Sequence, residues 1–138
     1  MEDCIFCKII AGEAPADMIY ADDELVAFMD IYPASRGHLL IVPRLHVRNL
    51  YDTPSELAAR AMALAARLAP ALRDATGADG MNVWQSSERP AGQVIFHFHM
   101  HMLPRYHNDG IPVPGNRSRA DAAELSALAA AIRAQFDR

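Results

Sequence analysis

Residues 94–105 read VIFHFHMHMLPR. β-Branched and aromatic side chains fill this run, and such residues suit a pleated strand. Strand side chains alternate between faces, so His97, His99 and His101 project together from one face while Phe96, Phe98, Met100 and Met102 project from the other. One face packs and the other is left for chemistry. A single histidine at such a place reads as a core residue with its hydrogen bonds satisfied. Three in strict alternation point to a functional surface.

Outward from that run the chain supplies a complete frame. Between Met18 and Pro43 short apolar segments alternate with turns: Asp22-Asp23-Glu24, then LVAFM, then a turn from Pro33 to Gly37, then HLLIV. This predicts a hairpin or meander. Thr53-Pro54-Ser55-Glu56 supplies a capping residue, a proline at the first helical position and a glutamate three residues on. Leu57, Ala61, Leu64, Ala65, Leu68 and Leu72 follow at helical spacing. Pro70 is expected to kink or split that helix, and Gly77 to stop it. Met81–Gln85 reads as a further short strand, followed by the loop SSERPAGQ. A last helix starts near Ser118–Asp121, with Leu125, Leu128, Ala129, Ile132 and Phe136 as its packing stripe. The segment His107–Arg119 reads as surface loop. Strands, one long helix, more strand and a final helix do not make the βαβα alternation of a parallel sheet. The expected class is therefore α+β: an antiparallel sheet of about five strands, with one long central helix and a C-terminal helix.

The chain has 138 residues, 51% of them hydrophobic. That length suits one domain, 1–138, with a core from about 4 to 106 and a C-terminal loop and helix from 107 to 138. MEDCIFCKII reads as neither a secretion signal nor a membrane anchor, and two cysteines make no disulfide framework, so a reducing cytoplasm is the expected compartment. No stretch approaches the length of a membrane span. A formal net charge of -4 argues against nonspecific nucleic-acid binding, which needs a basic face. A small anionic substrate needs only a local pocket of donors.

One zinc held by all three histidines fits the geometry poorly. A rise of about 3.3 Å per residue sets the first and third α-carbons roughly 13 Å apart, too far for metal–nitrogen bonds of about 2 Å to close from one straight strand. A phosphate suits the spacing better, because one imidazole attacks phosphorus while the next donates hydrogen bonds to its oxygens. Upstream, Ala91-Gly92-Gln93 lets backbone N–H groups approach an anion where Gly92 lacks a β-carbon.

With these residues the chain resembles the histidine triad family of nucleotide hydrolases and transferases, in the branch of the nucleoside phosphoramidate hydrolases. Four ordered blocks carry the resemblance: Cys4-Ile5-Phe6-Cys7-Lys8-Ile9-Ile10; Phe28-Met29-Asp30-Ile31-Tyr32-Pro33; Gly37-His38-Leu39-Leu40-Ile41-Val42-Pro43 with His46; and Ala91-Gly92-Gln93 leading into the triad. The resemblance implies that His99 is the nucleophile, forming a covalent nucleotidyl-histidine at the α-phosphate of a purine nucleotide derivative. It implies that His101 binds that phosphate and assists proton transfer, with His38 as a supporting residue. A main-chain carbonyl, His97 being the candidate, would hold the Nδ1 proton of His99 and free Nε2 for attack. Asp30 matches the ribose-hydroxyl acceptor, and Phe6, Ile9, Phe28, Ile31 and Leu40 match the base pocket. Ser86, Gly92, Gln93 and Val94 complete the substrate-binding set. Ser86 stands where the family often has asparagine or glutamine, and Val94 where some relatives carry a hydroxyl. A homodimer with a continuous sheet is also implied. Dinucleoside polyphosphate hydrolysis, nucleotidyl transfer, and a non-catalytic nucleotide- or zinc-binding regulatory role remain as alternatives.

Cys4 and Cys7 have the gap that lets two thiolates reach one zinc, and a structural site needs two further ligands. His46 and His97 are the candidates, and members of the family that keep the cysteine pair bind zinc with equivalent positions. Free thiols are the rival reading. A thioredoxin-like redox pair is disfavoured because no βαβ unit follows. Such a zinc would tie the N-terminus to the catalytic strand without performing the chemistry.

Overall fold

A computed structural model describes residues 3–111 and 118–137. Among them the elements run α1 (Ile5–Ile10), β1 (Met18–Ala21), β2 (Leu25–Met29), β3 (Leu39–Pro43), α2 (Ser55–Thr76), β4 (Gly80–Trp84), β5 (Met100–Arg105) and α3 (Ala122–Phe136). The five strands form one sheet in the order β1-β2-β3-β5-β4, and every neighbouring pair is antiparallel. The α+β class and the strand count agree with the sequence.

Strand register divides the side chains between two faces. Ala27 and Met29 of β2, Leu39 and Ile41 of β3 and Met100 and Met102 of β5 share one face. They pack with Leu57, Ala61, Leu64, Ala65, Leu68 and Leu72 of α2 and Leu125, Leu128, Ala129 and Ile132 of α3 into the main core. Removing a side chain such as Leu68, which has no exposed surface, would cost about 2–5 kcal/mol in transfer and cavity terms. On the opposite face Phe28 of β2 stands beside Leu40 of β3, Leu40 beside His101 of β5, and His101 beside Trp84 of β4. One row of side chains thus passes from apolar to chemical. α1, which the sequence reading did not anticipate, covers its apolar end through Phe6.

Three local expectations are corrected. First, the ladder of β5 begins only at Met100, so His97 and His99 precede the strand. Continuing the register of Ile41 with Met100 would set Pro43 opposite Phe98. Pro43 has no N–H to donate, and its carbonyl instead accepts from His97 Nε2 at 2.7 Å. The Phe98 N–H turns to the Val47 carbonyl at 2.8 Å. Side-chain alternation survives from His97 onward, but Phe96 leaves the packing face and lies against the guanidinium groups of Arg48 and Arg89, 4.3 and 4.9 Å from its centroid. Second, Thr53 does not cap α2. Pro54 occupies the cap position, and the Thr53 hydroxyl donates to the Asn49 carbonyl at 2.6 Å. Third, α2 runs unbroken through Pro70. Pro70 and Ala66 lie on the exposed side, where water can serve the carbonyl that the proline leaves without a helical donor.

Gly77 ends α2 in a left-handed conformation, φ 71°, as expected. α3 is capped by Asp121, whose carboxylate accepts from the Glu124 N–H at 3.0 Å. Gly37 makes the β2–β3 connection fit: its φ is +96°, and a β-carbon there would sit 2.8 Å from Thr76 Cγ2 and 2.9 Å from Pro104 Cγ. In the 107–119 segment, residues 112–117 lie outside the described residues. No helix of the described residues is long and apolar enough to cross a membrane.

Candidate active site

His99 is 7% exposed and borders a cavity of about 530 Å³ between β4, β5 and the loop that joins them. Ser86, Gly92, Val94 and His101 border the same cavity, as do Trp84, Leu103 and Arg105. The His97 carbonyl lies 2.8 Å from His99 Nδ1. A carbonyl only accepts, so Nδ1 carries the proton and Nε2 keeps its lone pair. Burial pushes the His99 imidazole below its ordinary value, against the opposing effect of that carbonyl. The ring is therefore neutral at pH 7, with an available nucleophilic nitrogen.

The tautomer of His101 follows in the same way. The Ala34 N–H donates to His38 Nδ1 at 3.0 Å, so in neutral His38 the proton sits on Nε2. His38 Nε2 stands 2.9 Å from His101 Nδ1 and donates to it, which leaves the His101 proton on Nε2. Asp30 Oδ2 stands 3.6 Å from the same His38 nitrogen, while Oδ1 accepts from the Tyr32 N–H at 2.8 Å. One imidazole thus offers a lone pair and its neighbour offers an N–H.

Phe6, Phe28 and Leu40 are buried in a second apolar cluster, with Ile9 packed against it. The Phe6 ring meets His99 edge-on at 5.1 Å, joining this cluster to the nucleophile candidate. Ile31 stands apart on the exposed turn after β2.

Gln93 is placed differently from the expectation of a substrate contact. Its side chain is 2% exposed. Its carbonyl oxygen accepts from the Glu88 N–H at 2.7 Å and from Asn49 Nδ2 at 3.2 Å. Its amide donates to the carbonyls of Arg48 at 2.7 Å and Ile95 at 3.1 Å. All four hydrogen-bonding positions are used inside the protein. Glu88, held at φ 75°, pairs through both oxygens with Arg48 at 2.8 Å each and accepts from Asn49 at 2.6 Å. Those bonds, Arg48 first, hold its carboxyl down at about 2. The network anchors the loop that carries Gly92, itself left-handed at φ +100°.

Cys4, Cys7, His46 and His97 come together from α1, the segment after β3 and the approach to β5, with their donor atoms all within 4.8 Å of one another. Cys7 Sγ is 3.2 Å from His46 Nδ1, and Cys4 Sγ is 3.4 Å from His97 Nδ1. The His97 Nε2–H is held by the Pro43 carbonyl, so Nδ1 turns its lone pair toward the sulfurs. Burial first among the causes pushes the His97 imidazole down to about 4 and the Cys7 thiol up. Two thiols and two neutral imidazoles at this spacing fit a tetrahedral zinc.

Trp84, Arg48, Asn49 and Glu88 escaped the sequence reading. Trp84 is found only through the register that sets it against His101, and the Arg48–Glu88 pair only by folding a 40-residue separation closed.

The HIT domain family matches residues 11–108. The chain belongs to the histidine triad (HIT) family. This HIT protein is 36% identical to the adenosine 5'-monophosphoramidase HNT1 of Saccharomyces cerevisiae, over 97% of the chain and 83% of that relative. It is 42% identical to the adenylylsulfatase HINT3 of Arabidopsis thaliana, over 78% of the chain and 54% of that longer protein. The crystal structure of a zinc-bound histidine triad family protein from Mycobacterium smegmatis superposes with a TM-score of 0.88 at 35% identity, covering 99% of this chain and 94% of the other. The HIT fold and an antiparallel α+β sheet are thus common to this protein and its solved relative.

Proposed function

We propose that this HIT protein hydrolyses or transfers nucleotides at the α-phosphate of purine nucleoside phosphoramidates or related adenylated compounds, through a covalent nucleotidyl-histidine. The observation that carries this reading is the His99 ring: Nδ1–H tied to the His97 carbonyl at 2.8 Å, on a cavity wall beside His101. His99 Nε2 attacks phosphorus as the phosphorus–nitrogen bond of the phosphoramidate breaks, the His101 Nε2–H donates to the phosphate oxygens, and the departing nitrogen takes a proton from solvent. Water then attacks the adduct, the phosphorus–histidine bond breaks, AMP leaves, and the water's proton returns to solvent. His38 keeps His101 in the donor tautomer. The N–H groups of Ala91, Gly92 and Gln93 are spent on the carbonyls of Glu88 and Arg89, so the Ser86 hydroxyl beside Gly92 faces the phosphate, Asp30 accepts from the ribose, and Phe6, Ile9, Phe28, Ile31 and Leu40 receive the purine.

A second class of leaving group is favoured by one residue. Val94, 75% exposed at the cavity, has no proton to give. Groups that depart as stable anions, such as the sulfate of an adenylyl sulfate, need none. Zinc held by Cys4, Cys7, His46 and His97 would fix α1 to the approach of β5 and supply no step of the reaction. Strand β4 is an edge with exposed Val83 and Asn82, which suits sheet continuation into a second copy in a homodimer. The single domain is read as cytoplasmic.

The test is adenosine 5′-phosphoramidate hydrolysis. Wild type releases AMP and acid quench traps adenylylated protein, whereas His99→Ala retains nucleotide binding and forms neither. AMP release by His99→Ala equal to wild type, or none by wild type at millimolar substrate, refutes the reading.

A further inference from the structure

We propose that Trp84 is a positioning residue for phosphoryl transfer, its indole face holding the His101 ring in its working plane. The inference rests on the function proposed above. Register sets Trp84 of β4 directly opposite His101 of β5. Their rings are stacked, 4° from coplanar with centroids 4.3 Å apart. The His38 hydrogen bond fixes His101 within its ring plane, at 2.9 Å, and the stack fixes the plane itself. Neither constraint does both. His99, with its ring centroid at 4.8 Å, lies across the His101 ring at 62°.

The indole face is negative, so the stack also tightens when the His101 ring is protonated. Other ionisable groups bear on the same ring. His38 touches it, Asp30 stands behind His38, and His99 precedes it. Arg105 of the same cavity is paired with Asp109 through both oxygens at 2.9 Å and donates to Asn82 at 2.8 Å. Trp84 adds a negative surface to these groups without itself titrating.

The chain contains one tryptophan, so its emission reports the rings packed on it, His101 at 4.3 Å first and His38 at 5.7 Å. An imidazolium stacked on indole quenches its fluorescence. Emission of the wild-type protein is expected to fall as pH is lowered through the histidine range, and most of that fall to vanish in His101→Asn. On adenosine 5′-phosphoramidate, Trp84→Leu is expected to lower kcat by about tenfold or more with KM within about threefold, while Trp84→Phe keeps kcat within about threefold of wild type. Circular dichroism of both variants reports folding, and the phenylalanine variant decides the case where leucine unfolds the edge strand. Three results overturn the proposal: wild-type kcat in Trp84→Leu, equal loss in Trp84→Leu and Trp84→Phe, or an emission titration undiminished in His101→Asn. Absence of AMP release by the wild type defeats the functional reading instead, and the emission titration still decides whether the stacked pair exists.

Discussion

Replacing Gln93 by alanine separates a substrate contact from a structural anchor. The wild-type side chain makes four hydrogen bonds and is 2% exposed. Truncation leaves the Glu88 N–H and the Arg48 and Ile95 carbonyls without that partner, while Asn49 Nδ2 keeps its 2.6 Å bond to Glu88. Three lost bonds at about 0.5–1.5 kcal/mol net each, partly recovered by entering water, give a destabilisation of about 2–4 kcal/mol. For a chain of this size each kcal/mol lowers the melting temperature by about 3–5 °C, so the expected fall is about 6–20 °C. Differential scanning calorimetry measures it. Gln93→Glu should fall at least as far, because an ionised carboxylate cannot donate to the two carbonyls. On adenosine 5′-phosphoramidate, Gln93→Ala should also lose kcat as the Gly92 loop loosens. A Gln93→Ala protein that melts within about 2 °C of wild type and differs only in KM refutes the anchoring argument and restores Gln93 to the substrate.

Two further outcomes are expected. Glu88 is held at about 2 against an ordinary 4.5, so the stability it contributes is present above pH 4.5 and is lost as pH falls toward 2. The stability gap between wild type and Glu88→Gln in urea titrations should therefore narrow from pH 5 down to pH 2, and a constant gap sinks this account. Adding zinc to chelator-treated protein should raise the melting temperature, by the equivalent of about 2.7 kcal/mol when free zinc reaches 100 times its dissociation constant. Cys7→Ser should abolish most of that rise, and an unchanged rise would place the ion elsewhere.

Much of the frame was legible in the chain. The meander, the long helix to Gly77, the last helix and its stripe all follow from periodicity and turn chemistry, which act over a few residues. The helix over residues 5–10 was not legible, because six residues are too few to show a period. The strand start was misjudged for a related reason. Residues 94–99 have strand composition, but the ladder ends where Pro43 faces them, a fact of register between distant segments. In the candidate site, the histidines, Asp30, the Ser86–Val94 loop and the cysteine pair were legible because their types and spacing are local signals. The saturation of Gln93, the Arg48–Glu88 anchor and the Trp84 stack were not.

By itself the sequence determined which groups are the candidates for chemistry: alternating imidazoles, two thiols at metal spacing, and a glycine in the loop ahead of the histidines. Only the tertiary structure decided which nitrogen of each ring carries the proton. His97, His99 and His101 have the same side chain, and the carbonyls of Pro43 and His97 and the imidazole of His38 assign them different protons. Hydrogen-bond partners from distant parts of the chain set a tautomer, and no local pattern encodes them.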